Sequence, residues 1–328
     1  LPDGRRTFLL REVKMKQLFF GVDIGGTKIA VSAGVEKDEG ILILDKVSFP
    51  TVKNDYKENL KKIREYLENF RDTYGEAKGI GISCGGPLDQ EEGVIQSPPN
   101  LPGWDDIPIV EIIKKHMQVP VDLENDADAC ALAEYRYGAG RGTKNMIFIT
   151  FGTGLGAGLI LGGQLYRGTN NCAGEIGHVR LSKEGPVGFG KEGSFEGYCS
   201  GGGIVQLGKL VLSEFHEKNR KVRWKNTAKD IFAAARMGDE LAGEIVRRCG
   251  RKLGEGLAIL VDILNPECIV MGSIYAKNSD LLYPHMMEIL TTESLPKNRA
   301  ACRIVPAQLG DSLGDIGSLC IAARRYRQ

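Results

Sequence analysis

Nowhere in these 328 residues is there an apolar run long enough to cross a bilayer as a helix, so no membrane span is expected. No basic block or acidic tail is present either. Lys and Arg number 43 against 42 Asp and Glu, a formal net charge of +1, and nucleic acid is not an expected partner. The eight cysteines (Cys84, Cys130, Cys172, Cys199, Cys249, Cys268, Cys302 and Cys320) never fall at CxxC spacing. Several lie in apolar runs such as Cys268-Ile269-Val270-Met271, which suits buried free thiols in a reducing cytoplasm better than disulfides or a metal cage. The opening Leu1–Gln17 offers only Phe8-Leu9-Leu10 as an apolar patch, too short for a signal peptide. Met15 stands just ahead of the first strand, and residues 1–14 read as a disordered extension. What remains is an ordinary cytoplasmic composition, 26% charged, in a chain with room for two domains.

The stretch that organises the chain is Phe19-Phe20-Gly21-Val22-Asp23-Ile24-Gly25-Gly26-Thr27-Lys28-Ile29-Ala30. An apolar strand runs into Asp23, a glycine pair and Thr27-Lys28, and strand character then resumes. Paired glycines let a backbone turn tightly and present N–H groups to an anion. Thr27 adds a hydroxyl, Lys28 a positive charge, and Asp23 a hard oxygen suited to Mg²⁺ through water. The alternative is an ordinary hairpin with a Gly-Gly turn. The layout recurs in Met146-Ile147-Phe148-Ile149-Thr150-Phe151-Gly152-Thr153-Gly154-Leu155-Gly156-Ala157, followed again by strand. Two such halves suggest a duplicated fold gripping one nucleotide. A dinucleotide fingerprint would need a helix after the glycines, and the pattern there is strand.

Strands are expected at Ile29–Gly34, Ile41–Phe49 and Gly79–Cys84, with a helix whose Leu60, Ile63, Leu67 and Phe70 share a face. This is a mixed sheet with helices packed on it. A Pro/Gly loop, Ser97–Trp104, precedes a helix that starts at Pro108. Val121-Asp122-Leu123 is a strand running into Glu124-Asn125-Asp126, and Ala129–Tyr137 is helical. Gly138–Thr143 looks like the passage into the second half. The long irregular segment from Cys172 to Gly203 has the length of a functional loop. Helical pattern then runs from Ile204 to Leu264, with a start at Thr227. Ile304–Ala307 is a last strand and Gly314–Arg325 a closing helix.

Asp126 stands where a strand stops and a helix starts, the point at which α/β folds open toward ligands. Asn125 or Asp126 could equally be a helix cap. Glu175 and His178 place an acid and an imidazole close together in a loop, a pair suited to sugar hydroxyls. Glu196 is a third acidic candidate, whose alternative is a solvated loop charge.

Taken in order, Asp23-Ile24-Gly25-Gly26-Thr27-Lys28, Glu124-Asn125-Asp126, Gly152-Thr153-Gly154, Gly174-Glu175-Ile176-Gly177-His178 and Leu264-Asn265-Pro266-Glu267 resemble the ROK family of repressors and sugar kinases. The likeness runs from about residue 18 to the end. It implies a two-domain actin-like (ribonuclease H-like) α/β ATPase fold, with duplicated mixed sheets flanked by helices. The domains would be 15–125, joined by the closing helix 314–328, and a larger 126–313. The resemblance makes Asp126 the catalytic base and Asp23 the carboxylate on the Mg²⁺ side. Gly25, Gly26, Thr27 and Lys28 in one domain, and Gly152, Thr153 and Gly154 in the other, would hold the phosphates of ATP. Gly272 and Ser273 would lie by the adenosine, and Gly86, Asn100, Asn125, Asp126, Glu175, His178 and Glu196 would line the sugar pocket. A homodimer is also implied.

One departure stands out. The family's Gly-His is usually followed by CxCGxxGCxE, whose cysteines join the His on a structural zinc. Here the run is Val187-Gly188-Phe189-Gly190-Lys191-Glu192-Gly193-Ser194-Phe195-Glu196, with Val187, Phe189 and Ser194 at the cysteine places. No zinc is expected, and apolar packing by Val187 and Phe189 should hold the loop. The expected activity is transfer of the γ-phosphoryl group of ATP to a hexose, glucokinase-like, with an N-acetylmannosamine kinase as the other reading. A sugar-responsive repressor would need a helix-turn-helix module, for which the 22 residues ahead of Asp23 are too few. A catalytically dead sugar-binding protein fits poorly with an intact Asp126 and two phosphate turns.

Overall fold

The structure is a computed structural model, and it describes residues 17–37, 40–215, 224–225, 227–324 and 326. The extension expected over residues 1–14 lies outside the described residues. The chain divides into two compact units. One ends at Arg141 and is completed by the chain from Leu309 onward, and the other is Gly142–Gln308.

The first unit is built on β1 (Leu18–Ile24), β2 (Lys28–Lys37), β3 (Gly40–Pro50), β4 (Gly79–Cys84) and, after the short β5 (Leu88–Asp89) and β6 (Val94–Ile95), β7 (Val121–Asn125). Its main sheet has the order β3-β2-β1-β4-β7. The first three strands pair antiparallel, as tight turns allow, and β1, β4 and β7 run parallel. Parallel strands are covered on both faces, and β4, Gly-Ile-Gly-Ile-Ser-Cys, is buried throughout. On one face lies the helix Tyr56–Tyr74, which buries Leu60, Ile63, Leu67 and Phe70 as its apolar spacing predicts. Asp55 caps it by accepting from the Glu58 N–H at 3.0 Å.

On the other face packs the closing helix Leu313–Arg324. Gly21 and Gly81 sit side by side in the β1–β4 register and let this helix approach closely. A methyl group on Gly81 would stand 2.0 Å from the Ser318 carbonyl oxygen, and one on Gly21 2.3 Å from Ser318 Oγ. The helix Asp126–Tyr137 packs on the same closing helix. Glu134 ties it to the returning chain by accepting the Leu309 N–H at 2.9 Å. The boundary drawn from sequence after residue 125 therefore falls one helix early, because that helix buries its alanines in the first unit.

The second unit repeats the plan with β8 (Met146–Phe151), β9 (Leu155–Leu161), β10 (Gln164–Tyr166), β13 (Cys268–Met271) and β14 (Arg303–Pro306). Their order, β10-β9-β8-β13-β14, has the same antiparallel and parallel pairings as the first sheet. The duplication inferred from two similar turns is thus a duplication of topology. The region read as helical from 204 to 264 resolves into Gly201–Glu214, Ala228–Arg236 and Glu240–Leu264 among the described residues. Thr227 caps the middle one, as expected. A long helix, Ser273–Glu293, was not read from sequence. Pro284 lies inside it and its backbone breaks from helical angles at Asn278, so its apolar period is blurred.

Candidate active site

In the first unit the proposed residues gather at the C-terminal ends of β1, β4 and β7, where parallel sheets bind ligands. The turn after β1 is closed by the Gly25 N–H donating to the Lys28 carbonyl at 3.0 Å. Thr51, at the end of β3, clamps it. Its hydroxyl donates to the Gly25 carbonyl at 2.6 Å and its N–H to the Thr27 carbonyl at 3.1 Å. Thr27 and Lys28 are left exposed. Gly26 lies against the Pro/Gly loop, where a methyl group would meet the Asn100 carbonyl oxygen at 2.4 Å. That loop is not loose. Trp104 and Leu101 are fully buried beneath it, and Ser97 and Trp104 close it by a backbone bond of 3.0 Å. Asn100 is thereby presented to solvent beside the turn.

Asn125 and Asp126 divide two tasks. Asn125 is the cap, its Oδ1 accepting from the N–H groups of Ala127 (2.9 Å) and Asp128 (3.4 Å). Asp126, the first helical residue, accepts from Ala127 N–H through Oδ1 at 2.8 Å. A Cβ at Gly85 would lie 3.8 Å from Asp126 Oδ2 and 3.5 Å from Asn100 Nδ2, which places these polar atoms around one small space. One at Gly86 would lie 3.7 Å from Asn125 Nδ2.

Burial raises the pKa of Asp126 from its ordinary value, against the lowering effect of the helix amides. Asp23 is pushed up to about 6, first by burial, then by the neighbouring charges of Asp126 and Asp315, with Ser83 and Lys28 acting in the opposite sense. Asp315 is itself buried and paired with Lys46. Such a cluster of hard oxygens fits a hydrated divalent cation, which would relieve its mutual repulsion. Gly314 keeps the space open, since a methyl group there would stand 2.6 Å from Asp23 Oδ2. Among the described residues no three His, Cys, Asp or Glu side chains form a direct metal cage, so water and a nucleotide's phosphates would complete the shell.

In the second unit the matching turn is closed by Gly152 N–H donating to the Gly154 carbonyl at 3.0 Å. Gly201 N–H donates to the Gly152 carbonyl at 2.8 Å, which ties the turn to the helix that follows. Glu196 lies directly beside it, its Oε2 accepting the Leu155 N–H at 3.0 Å. Gly272 and Ser273 begin the helix after β13. A Cβ at Gly152 would lie 3.6 Å from Ser273 Oγ, so this helix start belongs to the same cluster. Ser273 has a positive φ of 49°, unusual for a residue with a side chain.

The loop carrying Glu175 and His178 is pinned to β9 by Ala157 N–H donating to the Gly174 carbonyl at 2.9 Å. Glu175 is exposed and His178 half-buried. The hairpin beyond, β11 (Val187–Gly188) and β12 (Lys191–Glu192), is not held as the sequence suggested. Val187 is 44% and Phe189 67% exposed, so neither anchors it by burial. Polar contacts do. Leu181 and Ser182 donate to the Gly193 carbonyl, Arg180 Nη1 to the Glu192 carbonyl, and Gln206 bonds both main-chain groups of Val187. The buried anchors are Phe195 and Tyr198 in the short helix Phe195–Tyr198, which Ser194 caps through the Gly197 N–H at 3.1 Å. With Val, Phe and Ser at the three places, this donor set does not fit a tetrahedral zinc.

Sequence reasoning missed Thr51, Ser83, Gly314 and Asp315. Each acts across a long stretch of chain on Gly25 or Asp23, with no local pattern to reveal it. Leu264-Asn265-Pro266-Glu267 proves to be architectural. Asn265 ends its helix in the left-handed conformation, and Glu267 Oε1 accepts the N–H groups of Lys144 and Asn145 at 2.9 and 3.1 Å.

Comparison with known proteins bears on both units. The sequence pattern of the ROK family matches residues 19–325. The glucokinase of Halalkalibacterium halodurans is 34% identical, over 91% of this chain and 93% of its own. The ROK hexokinase of Thermus thermophilus superposes with a TM-score of 0.78 at 32% identity, covering 95% of this chain and all of that one. The ROK family glucokinase of Streptomyces griseus, solved in complex with glucose and AMPPNP, gives 0.74 at 30% identity, over 94% and 99% of the two chains. With the same strand order in both sheets, the actin-like architecture and the sequence agree: this chain belongs to the ROK family.

Proposed function

We propose that the protein is an ATP-dependent hexose kinase of the glucokinase type, transferring the γ-phosphoryl group of ATP to a sugar hydroxyl, O6. The observation that carries this is the division of labour at the end of β7. Asn125 caps the helix, so Asp126, whose Oδ1 accepts from a helix amide, can offer the Oδ2 of an exposed carboxylate with a raised pKa to a reacting hydroxyl. The similarity to glucokinases over nine-tenths of the chain supports it.

In this reading Asp126 takes the proton of the sugar hydroxyl as that oxygen forms its bond to the γ-phosphorus, and the bond to the bridging oxygen breaks to release ADP. Phosphoryl transfer has a loose transition state, so orientation and charge stabilisation count for more than base strength. The turns at Gly25–Thr27 and Gly152–Gly154, with Lys28, would hold the phosphates, and Gly272 and Ser273 the adenosine. Mg²⁺, held through water by Asp23, would neutralise phosphate charge. Gly86, Asn100, Asn125, Glu175, His178 and Glu196 would bind the sugar hydroxyls. No zinc enters this reading, and metal analysis of the purified protein tests that directly.

The decisive assay is ADP release from Mg·ATP with glucose, fructose, N-acetylmannosamine and N-acetylglucosamine. Glucose should support turnover. Asp126→Asn should lower kcat by roughly 10²–10⁴ while sugar binding persists, the usual worth of general-base help. Turnover with an N-acylhexosamine in place of glucose would move the protein to the other kinase class. A fully active Asp126→Asn would reduce Asp126 to part of a helix start.

A further inference from the structure

The hairpin of β11 and β12 turns through Phe189 and Gly190, both at positive φ, 44° and 75°. This type of turn favours Asn-Gly, and a bulky aromatic in its first place is disfavoured by backbone sterics. Burial does not compensate, because the Phe189 side chain is 67% exposed. A residue strained in its backbone and unrewarded by a core calls for a reason in what it touches. It touches His178. The two rings meet edge to face, with centroids 5.1 Å apart and planes at 75°. Two residues later, Lys191 Nζ donates to the His178 carbonyl oxygen at 2.6 Å. Among the described residues no hydrogen bond fixes the imidazole itself, and the Phe189 ring contact restricts its rotation.

We infer that Phe189 and Lys191 are positioning residues for His178. The hairpin holds the histidine by its ring and by its main chain, and so orients it without a metal. The inference rests on the reading of His178 as a sugar-binding group. Phe189 stands where a cysteine would be needed for a zinc, so one of the three residues that rule out the metal site also supplies the substitute.

The test compares Phe189→Asn, which suits the turn but lacks the ring, with Phe189→Tyr, which keeps the ring. Phe189→Asn should raise the melting temperature, because Asn tolerates the left-handed conformation. It should also raise KM for the sugar on the order of ten- to a hundredfold, with KM for ATP unchanged, as expected for a misplaced binding group. Phe189→Tyr should match the parent in both. With ¹³C-labelled histidine, the His178 ring signal, assigned by its loss in His178→Gln, should shift in the Asn variant and not in the Tyr variant. It should also survive dialysis against a chelator. A lowered melting temperature with an unmoved His178 signal would make Phe189 merely structural, and a signal altered by the chelator would restore a metal. Either result overturns the inference. If the parent phosphorylates no sugar, the kinase reading fails, and the His178 signal still decides the positioning role.

Discussion

Asp23 carries a carboxyl that holds its proton more tightly than it would in the unfolded chain, and this has a measurable sign. Its pKa is about 6 in the fold against an ordinary 3.8. Between those values the unfolded state gives up its proton first, so this group's contribution makes the fold less stable as pH rises from about 4 to 6. Below the lower value the penalty vanishes, and above about pH 6 it is fully present. A rise of that size corresponds to an upper figure of about 3 kcal/mol. Asp23→Asn should therefore melt at a higher temperature than the parent at pH 7.5 and at nearly the same temperature at pH 4, while ATP-dependent turnover is lost. Equal melting at both pH values would show that the cluster of Asp23, Asp126 and Asp315 exerts no net strain. Asp126 was legible in the sequence because a strand end followed by a helix start is a local pattern. Asp315 was not, because it meets Lys46 across 269 residues of chain.

At the scale of elements, both proposed phosphate turns are fixed by partners outside themselves. Thr51 clamps one, and Glu196 and Gly201 hold the other. The first turn is also seated on the Asn100 loop, which makes Gly26 a shared contact. Gly26→Ala should push turn and loop apart and raise KM for both ATP and the sugar, each on the order of tenfold, by small misplacements at the two ends of one contact. A change in KM for ATP alone would show that the turn moved and the loop stayed. The strands and the amphipathic helix Tyr56–Tyr74 were readable because apolar spacing states the face they bury. The helix Ser273–Glu293 was not, since an internal proline and a break at Asn278 overwrite that spacing. The loop after His178 misled in a different way. Val187 and Phe189 suggested apolar packing, yet in a two-strand hairpin on the surface their side chains have no core to enter.

Across the whole molecule, one strand order serves twice, and in each copy one parallel strand (β1, β8) ends at a Gly/Thr turn and another (β7, β13) at a helix start, both carrying proposed site residues. The first unit is assembled from two distant stretches of sequence, with Gly81 as the seat of the returning helix. Gly81→Ala would place a methyl group 2.0 Å from the Ser318 carbonyl and 2.7 Å from the Ala322 nitrogen, both main-chain atoms that cannot swing aside. Overpacking of that kind costs roughly 1–3 kcal/mol or more, and it should appear as a lower denaturant midpoint. An unchanged midpoint would mean that the helix lifts from the sheet without loss. The two-unit division itself was anticipated from the repeated turns. Its boundary was not, because the helix Asp126–Tyr137 shows its allegiance only through the closing helix it packs on.

That returning helix also imposes an order of events at the ribosome. The unit whose strands leave the exit tunnel first cannot finish folding until the residues after Leu309 have been translated, whereas Gly142–Gln308 is one uninterrupted stretch with its own core. The half synthesised second is therefore the first that can close, and the earlier strands must wait with the Gly21 and Gly81 face uncovered. Over that interval the nascent chain presents the surface that a chaperone would shield.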